Sequence, residues 1–232
     1  MTASVILLAG GSGRRMGGGD KLLIEVRGEP LLRRVLRAIE ACAAVDRIVL
    51  VARPGRIPEY TRLASSWGLT RISAIVPGGV ERQDSVWNGL QALVPPPEIV
   101  LIHDAARALV TPDLIRRCAA AAAEHGAAIP AAPVHDTIKR IRSPEDPRIV
   151  ETLDRTLLRA AQTPQAFRFV IIRDAYAPLI RQRVLVTDDA SAAERAGHEV
   201  QIVESDATNL KVTSPEDVFL AETILSQREK TS

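Results

Sequence analysis

The feature that most constrains this chain is the alternation of short apolar runs with amphipathic helical patterns. The apolar runs predict strands at residues 4–8, 47–51, 72–76, 98–103 and 127–132. Helical patterns begin at residue 30, precede residue 67, cover residues 81–93, and begin again at residues 111 and 214. Elements that take turns in this way favour a mostly parallel sheet with helices on both faces. The sequence therefore predicts an α/β fold of the Rossmann-like kind.

The composition fits one globular domain over residues 1–232, with 46% hydrophobic and 25% charged residues. A net charge of +2 and an aromatic content of 3% give no sign of a nucleic-acid partner. No run approaches the roughly 18 apolar residues of a membrane span, and the first residues lack a signal-peptide pattern. We therefore expect a cytoplasmic protein with no membrane partner. Cys42 and Cys118 have no partner at metal-binding spacing and are expected to be buried thiols.

Residues 133–155 break the alternation of strands and helices. Polar and apolar residues alternate at 137–141 and lead into a turn at 143–147, which predicts a projecting β-hairpin. A two-stranded hairpin with little core of its own is marginally stable, so we expect this arm to pack on a second subunit. An ordinary surface hairpin is the alternative.

The most informative segment is the glycine-rich stretch LLAGGSGRRMGGGDK at residues 7–21, which contains the end of the first predicted strand. Glycines there let the backbone turn tightly and present N–H groups to an anion. A dinucleotide fingerprint would need glycine in place of Met16, and a Walker loop would need serine or threonine in place of Leu22. What remains is a glycine loop with two cations, Arg15 and Lys21, which suit a triphosphate that loses pyrophosphate. A tight turn without a binding role is the alternative.

Asp104 and Arg107 follow the strand that ends at His103, where open α/β sheets place ligand-binding groups. A carboxylate there can bind magnesium, which prefers oxygen ligands and takes few of them from the protein. Taken alone, such a pair would more often be a surface ion pair. We expect His103 to be a packed histidine.

The segment at residues 7–21 resembles the signature of nucleotidyltransferases with the nucleotide-sugar-transferase fold. Later segments, in order over nearly the whole chain, resemble the 2-C-methyl-D-erythritol 4-phosphate cytidylyltransferase family. They are PGGVERQDSV at 77–86, HDAAR at 103–107, APVHDTIKR at 132–140, TLDRTLLRAAQTPQAF at 152–167, TDDAS at 187–191 and NLKVTSPED at 209–217. The resemblance implies transfer of CMP from CTP to the sugar-alcohol phosphate 2-C-methyl-D-erythritol 4-phosphate. It also implies Mg2+ as the cofactor and a homodimer with shared active sites.

The resemblance assigns roles residue by residue. The catalytic residues that it implies are Arg15, Lys21, Asp104 and Lys211, with Asp104 as the metal ligand. The implied CTP-binding residues are Ala9, Gly10, Gly11, Gly79, Ser85 and Ala105, whose small groups would exclude purines. The implied acceptor-binding residues are Arg107, Thr137, Arg155 and Thr187. Of these, Thr137 and Arg155 would come from the neighbouring subunit.

Three other functions stay open on the sequence. A ribitol 5-phosphate cytidylyltransferase shares the donor and differs in the acceptor pocket. A molybdenum-cofactor guanylyltransferase shares the pattern at the start of the chain but has no reason to carry the arm. A nucleotide-binding regulatory protein without turnover is disfavoured, because the chain carries Arg15, Lys21, Asp104 and Lys211 together. The chain departs from the family pattern at Val80, which replaces a polar residue, at Ala108, which replaces proline, and at residues 17–19.

Overall fold

The computed structural model describes residues 2–11 and 20–231, so most of the glycine-rich segment lies outside it. The strands are β1 (Ala3–Ala9), β2 (Glu25–Val26), β3 (Glu29–Pro30), β4 (Val45–Ala52), β5 (Ile72–Pro77), β6 (Ile99–Asp104), β7 (Ala127–Pro133), β8 (Lys139–Ile141), β9 (Ile149–Thr152), β10 (Arg159–Ala161), β11 (Gln165–Arg168) and β12 (Gln201–Glu204). The helices are α1 (Leu31–Glu40), α2 (Ile57–Ser66), α3 (Arg82–Ala92), α4 (Pro112–His125), α5 (Phe169–Gln182), α6 (Asp189–Arg195) and α7 (Pro215–Thr231). Each element that the sequence predicts is present.

The main sheet has eight strands, in the order β10, β7, β11, β6, β1, β4, β5, and β12 also pairs with β7. Its centre is parallel: β1 pairs with both β4 and β6, and β4 pairs with β5. On the other side, β11 runs antiparallel to β6 and β7, and β10 runs antiparallel to β7. The predicted fold class is confirmed, with a mixed sheet whose central strands are mostly parallel.

The central strand β1 shows why these strands are mostly apolar. Val5 and Leu7 pack into the core that contains α1 and α4, while Ile6 packs into the core that contains α3 and α5. Because helices cover both faces, neither face of the strand can carry polar side chains facing water. Ligands therefore reach the sheet at the carboxyl ends of its strands. Cys42 and Cys118 are buried free thiols, as expected.

Strands β8 and β9 form an antiparallel hairpin that is separate from the main sheet. Every residue of both strands is exposed. At the turn, Ser143 and Asp146 exchange two backbone hydrogen bonds of 3.2 Å. Ile141, Ile149 and Val150 are exposed apolar side chains of this hairpin. The projecting hairpin predicted for residues 133–155 is therefore present.

The elements β10, β11, β12, α5 and α6 lie in segments where the sequence analysis predicted none. The first two are short strands that run along β7 and are separated by residues 162–164. Within residues 2–11 and 20–231, no helix is both long enough and apolar enough to cross a membrane.

Candidate active site

A cavity of about 510 Å³ opens where the carboxyl ends of β1 and β6 meet the start of α3. Glycines and charged side chains contribute most of its polar wall. These residues are Gly10, Gly11, Lys21, Gly79, Glu81, Arg82, Ser85, Asp104 and Lys211. Most of them are predicted site residues from four separate sequence motifs. The carboxyl end of the parallel strands thus gathers them as expected for an open α/β sheet.

Asp104 is the last residue of β6, and its backbone N–H donates to Thr163 Oγ1 at 3.1 Å. Its carboxylate lies between two cations. Lys211 Nζ is 2.6 Å from Oδ2, and Arg82 Nε is 3.5 Å from Oδ1. Burial raises the pKa of this carboxyl, but the two cations outweigh burial and lower the pKa to about 2. Asp104 is therefore ionised at neutral pH, as a metal ligand must be.

Lys211 is presented by a segment that is fixed on both sides. Before it, the buried side chain of Asn209 donates to the carbonyl oxygen of Thr163, and the Asn209 carbonyl accepts from Arg107 Nη1 at 2.8 Å. After it, the buried residue Val212 donates its backbone N–H to residue 106 at 2.8 Å. The side chain of Lys211 itself is 43% exposed. The backbone of Lys211 is thus fixed, while its half-exposed ammonium can contact either the Asp104 carboxylate or a phosphate in the cavity.

Lys21 enters the same cavity from the far end of the glycine-rich segment. Asp20 caps the short 3-10 turn that begins at Lys21, and Asp20 Oδ2 accepts from the Tyr60 hydroxyl at 2.6 Å. Lys21 Nζ lies 3.4 Å from the carbonyl oxygen of Val212, next to Lys211 in the chain. Two of the three predicted cations therefore face one cavity. The third, Arg15, lies outside the described residues.

The turn before α3 forms another wall of the cavity. The Gly79 N–H donates to Ser85 Oγ at 3.0 Å, and Ser85 Oγ donates to the Glu81 carbonyl at 3.3 Å. A Cβ added to Gly79 would lie 2.1 Å from Asp84 Cβ, so this turn requires glycine. The turn leads into the N-terminus of α3, where Glu81 and Asp84 form a capping box and the Glu81 N–H donates to Asp84 Oδ2 at 2.9 Å. Val80, one of the departures from the family pattern, is 95% exposed at this wall.

His103 is a packed residue, as expected. The ring is 1% exposed and lies between Thr163 and the backbone of Arg107. Because a carbonyl oxygen can only accept, Nε2 donates to the Arg107 carbonyl at 3.2 Å, and Nδ1 accepts from Thr163 Oγ1 at 2.9 Å. Burial lowers the pKa of His103 to about 4, so the ring is neutral at pH 7. The neutral ring supports Thr163, which in turn holds the backbone of Asp104.

Two predicted CTP-binding residues lie behind the cavity wall. Ala9 and Ala105 are both buried, and the Ala105 N–H donates to the Leu8 carbonyl at 3.0 Å. Neither is among the described residues that line the cavity. Any contact of theirs with a ligand would therefore come from backbone groups at the end of β1 and just after β6.

The four predicted acceptor residues do not line this cavity within the described part of one chain. The Arg107 guanidinium donates to the backbone carbonyl of Asn209, in the segment that carries Lys211. Thr187 is exposed and lies two residues before Asp189. The carboxylate of Asp189 forms an ion pair with Arg82, which lines the cavity. Thr137 is exposed where the chain enters the arm, and the guanidinium of Arg155 hydrogen-bonds the backbone carbonyl of residue 135. Thr137 and Arg155 therefore lie at the base of the arm.

Glu81 and Arg82 are charged cavity residues that the sequence analysis did not single out, and Arg82 makes the more extensive contacts. It binds Asp189 through two nitrogens and approaches Asp104 through a third. The available signal was that Arg82 and Asp189 are charged residues inside two of the motifs quoted above. Their separation of 107 residues gave no sign that they are in contact.

Two lysines and the ionised carboxylate of Asp104, a candidate metal ligand, at a single cavity suit charge neutralisation along a chain of phosphates. On this α/β sheet, those features define the class: a nucleotidyltransferase. The family described as 2-C-methyl-D-erythritol 4-phosphate cytidylyltransferase matches residues 3–227, and the chain belongs to that family.

Individual relatives agree with the family match. The chain is 44% identical to the 2-C-methyl-D-erythritol 4-phosphate cytidylyltransferase of a Nostoc species, over 97% of this chain and 98% of that protein. It is also 44% identical to the Geobacillus kaustophilus protein of the same name, over 98% and 99% of the two chains. Among solved structures, the Thermus thermophilus cytidylyltransferase of this name aligns with a TM-score of 0.78 and 32% identity, covering 97% of this chain and 98% of that one. An Anaerococcus prevotii 4-diphosphocytidyl-2C-methyl-D-erythritol synthase aligns with a TM-score of 0.85 and 29% identity, over 97% and 96%.

Proposed function

We propose that this chain transfers CMP from CTP to 2-C-methyl-D-erythritol 4-phosphate, releasing pyrophosphate and forming 4-diphosphocytidyl-2-C-methyl-D-erythritol. The observation that carries the proposal is the convergence of Lys21, Lys211 and Asp104 on one cavity beside the glycine-rich segment. Membership of the cytidylyltransferase family supports the donor and the acceptor. It also favours the methylerythritol phosphate over ribitol 5-phosphate.

The lysines act on charge that develops as pyrophosphate leaves. Lys21 and Lys211 would neutralise phosphate oxygens, and preorganised cations of this kind each lower the barrier by a few kcal/mol. Arg15 is proposed as a third cation on the family resemblance alone. The acceptor phosphate is the nucleophile, and it arrives as a dianion because its second pKa is about 6. No side chain is needed to remove a proton from it.

Asp104 is proposed as the Mg2+ ligand. The carboxylate is ionised and faces the cavity, and the described residues contain no group of three or more His, Cys, Asp or Glu side chains that would hold a metal alone. A single carboxylate fits magnesium, which keeps most of its coordination shell for waters and substrate phosphates. When bound, the metal supplies charge neutralisation across phosphate oxygens.

The cytosine would be recognised by the small residues Gly10, Gly11, Gly79 and Ser85, together with backbone groups of Ala9 and Ala105. Polar groups that are buried against one base are left unpaired by another, which discriminates strongly. The tight turn at Gly79 supports this proposal, because any larger residue there would displace the start of α3.

The acceptor site is proposed to be shared between two subunits. Arg107 and Thr187 would come from one subunit, and Thr137 and Arg155 from the arm of the other. The support is the arm itself, in which every residue of the two strands is exposed and some of these residues are apolar. Such a hairpin gains stability by packing on a partner. We also propose a single domain over residues 1–232 and a cytoplasmic location, without a membrane or nucleic-acid partner.

The direct test measures pyrophosphate release from the purified chain. CTP, UTP, ATP and GTP are each supplied with 2-C-methyl-D-erythritol 4-phosphate or ribitol 5-phosphate, with and without Mg2+. The proposal predicts release with CTP and the methylerythritol phosphate that depends on Mg2+. Faster release with ribitol 5-phosphate would contradict the acceptor, and faster release with GTP would contradict the donor.

A further inference from the structure

Arg82 connects the cavity to a buried carboxylate on another helix. Its Nη1 and Nη2 donate to Asp189 Oδ1 and Oδ2 at 2.9 and 2.7 Å. Its Nε lies 3.5 Å from Asp104 Oδ1. One guanidinium, at the first position of α3, therefore contacts both a cavity carboxylate and the first residue of α6. A two-nitrogen pair of this kind fixes the plane of the guanidinium as well as its position.

The Asp189 side chain is itself held tightly. It has no exposed surface, and its Oδ1 also accepts from the Tyr176 hydroxyl of α5 at 2.6 Å. A buried carboxylate is tolerated only when it is paired and hydrogen-bonded, and here Arg82 and Tyr176 supply those partners. The network therefore fixes the orientation of the Arg82 guanidinium.

The two cations beside Asp104 differ in how firmly they are held. Lys211 contacts Oδ2 with a half-exposed side chain, so it can leave Asp104 for a substrate phosphate. Arg82 is bound through two nitrogens to the buried Asp189, so it stays when Lys211 leaves. The charge of Arg82 is already matched by Asp189 and is less available to a phosphate. Its remaining contact is with Asp104 Oδ1, which suits orientation of that carboxylate.

We infer that Asp189 and Tyr176 are positioning residues that act through Arg82 to orient Asp104 toward the metal-bound donor. The inference rests on the proposed function, because it takes Asp104 to be the Mg2+ ligand. Partners in the outer shell of a metal site fix the direction of the ligand, and their loss typically lowers metal affinity about 10- to 100-fold. A purely structural network would instead affect folding without changing the response to the metal.

The test compares wild type with Asp189→Asn, Tyr176→Phe and Arg82→Lys. Binding of CTP is measured by calorimetry with Mg2+ and with EDTA, and the Mg2+ midpoint of pyrophosphate release is measured alongside. For Asp189→Asn we expect the Mg2+ midpoint to rise about tenfold and CTP binding in Mg2+ to weaken, while binding in EDTA changes by less than about twofold. Tyr176→Phe should move the midpoint in the same direction by about two- to fivefold, because one hydrogen bond to Asp189 is lost. Asp104→Asn serves as the reference for loss of the metal response.

A double variant tests whether Asp189 acts through Arg82. If it does, the double variant Asp189→Asn with Arg82→Lys has the same Mg2+ midpoint as Arg82→Lys alone. If the two residues act independently, the fold-changes of the two single variants in the Mg2+ midpoint multiply. Multiplied effects would overturn the inference. Asp174→Asn is the matched control, because this exposed carboxylate of α5 pairs only with its neighbour Arg173 among the described contacts. Its midpoint should equal that of wild type.

Two further readouts keep the outcome decisive. If Asp189→Asn does not fold, Tyr176→Phe carries the test, since it deletes one oxygen and leaves the ion pair intact. Folded Tyr176→Phe and Arg82→Lys variants with wild-type midpoints and wild-type calorimetry would overturn the inference while leaving the proposed function standing. If wild type releases no pyrophosphate with any acceptor, the proposed function fails, and the calorimetric comparison still decides the positioning role.

Discussion

The Lys211 ammonium lies 2.6 Å from the Asp104 carboxylate at the cavity wall. The proposed metal ligand and one proposed phosphate-binding cation thus form an ion pair. Binding of the metal and the triphosphate would separate them, giving each a new partner of opposite charge.

The position of both lysines at the cavity predicts that Lys21→Ala and Lys211→Ala each lower turnover at least about tenfold, because each removes a cation that opposes charge in the transition state. Turnover is measured as pyrophosphate release at saturating CTP, and folding is checked by circular dichroism. Lys230→Ala, at the end of α7, is the control that should keep wild-type turnover. Normal turnover in both folded cavity variants would remove the lysines from the mechanism.

The turn before α3 predicts a contrast between two glycines. Gly79→Ala should lower kcat/KM for CTP at least about tenfold, because its Cβ would lie 2.1 Å from Asp84 Cβ and the turn at the cavity must shift. Gly55→Ala is the matched control, since nothing lies within 4 Å of the added Cβ. Steady-state kinetics with varied CTP measures both. Equal kcat/KM values for the two variants would show that the turn does not contribute to donor binding.

Burial of His103 predicts a pH-dependent stability. Its folded pKa is about 4, below its ordinary value of 6.5. As the pH falls below 6.5, His103 binds a proton in the unfolded chain but stays neutral in the folded chain. The contribution of His103 to the free energy of unfolding is therefore complete above pH 6.5 and decreases as the pH falls to about 4. The shift corresponds to about 3 kcal/mol.

Urea unfolding in EDTA at pH 7 and pH 4 measures this effect, and His103→Asn is the comparison. Other groups that titrate in this range contribute to both proteins, so the difference between them isolates His103. Wild type should lose up to about 3 kcal/mol more than the variant on acidification. An identical loss in the two proteins would show that His103 does not stay neutral when folded.

Most elements of the fold, and most residues of the cavity, could be predicted from the sequence because their signals are local. One such signal is the apolar run of the buried strand β1. Another is Thr111, which caps α4 by accepting the Leu114 N–H at 3.2 Å. Strands β10 and β11, with the sequences RAA and QAFR, could not be predicted, because they neither form an apolar run nor alternate polar with apolar residues. The equally short β8 and β9 were marked by the alternation at 137–141 and the turn at 143–147. The contact between Arg82 and Asp189 depends on the packing of α3 near α6, which no local pattern encodes.

The shared acceptor site predicts recovery of activity on subunit mixing. Arg155→Ala and Lys21→Ala homodimers should each be nearly inactive. After random exchange, half of the dimers are mixed, and each mixed dimer has one site with both defects and one intact site, so activity should approach about one quarter of wild type. Native mass spectrometry confirms the exchange. Mixed dimers without recovered activity would place both residues in the same subunit's site.

The most direct test of the central claim follows the oxygen atoms of the acceptor phosphate. The acceptor 2-C-methyl-D-erythritol 4-phosphate is labelled with ¹⁸O on its phosphate and incubated with wild type, CTP and Mg2+, and the products are analysed by mass spectrometry. Because the acceptor phosphate attacks the α-phosphorus of CTP, the account predicts that all of the label is in the cytidine diphosphate-linked product and none is in pyrophosphate. Label in pyrophosphate or in free phosphate, or no cytidine-linked product at all, would contradict it.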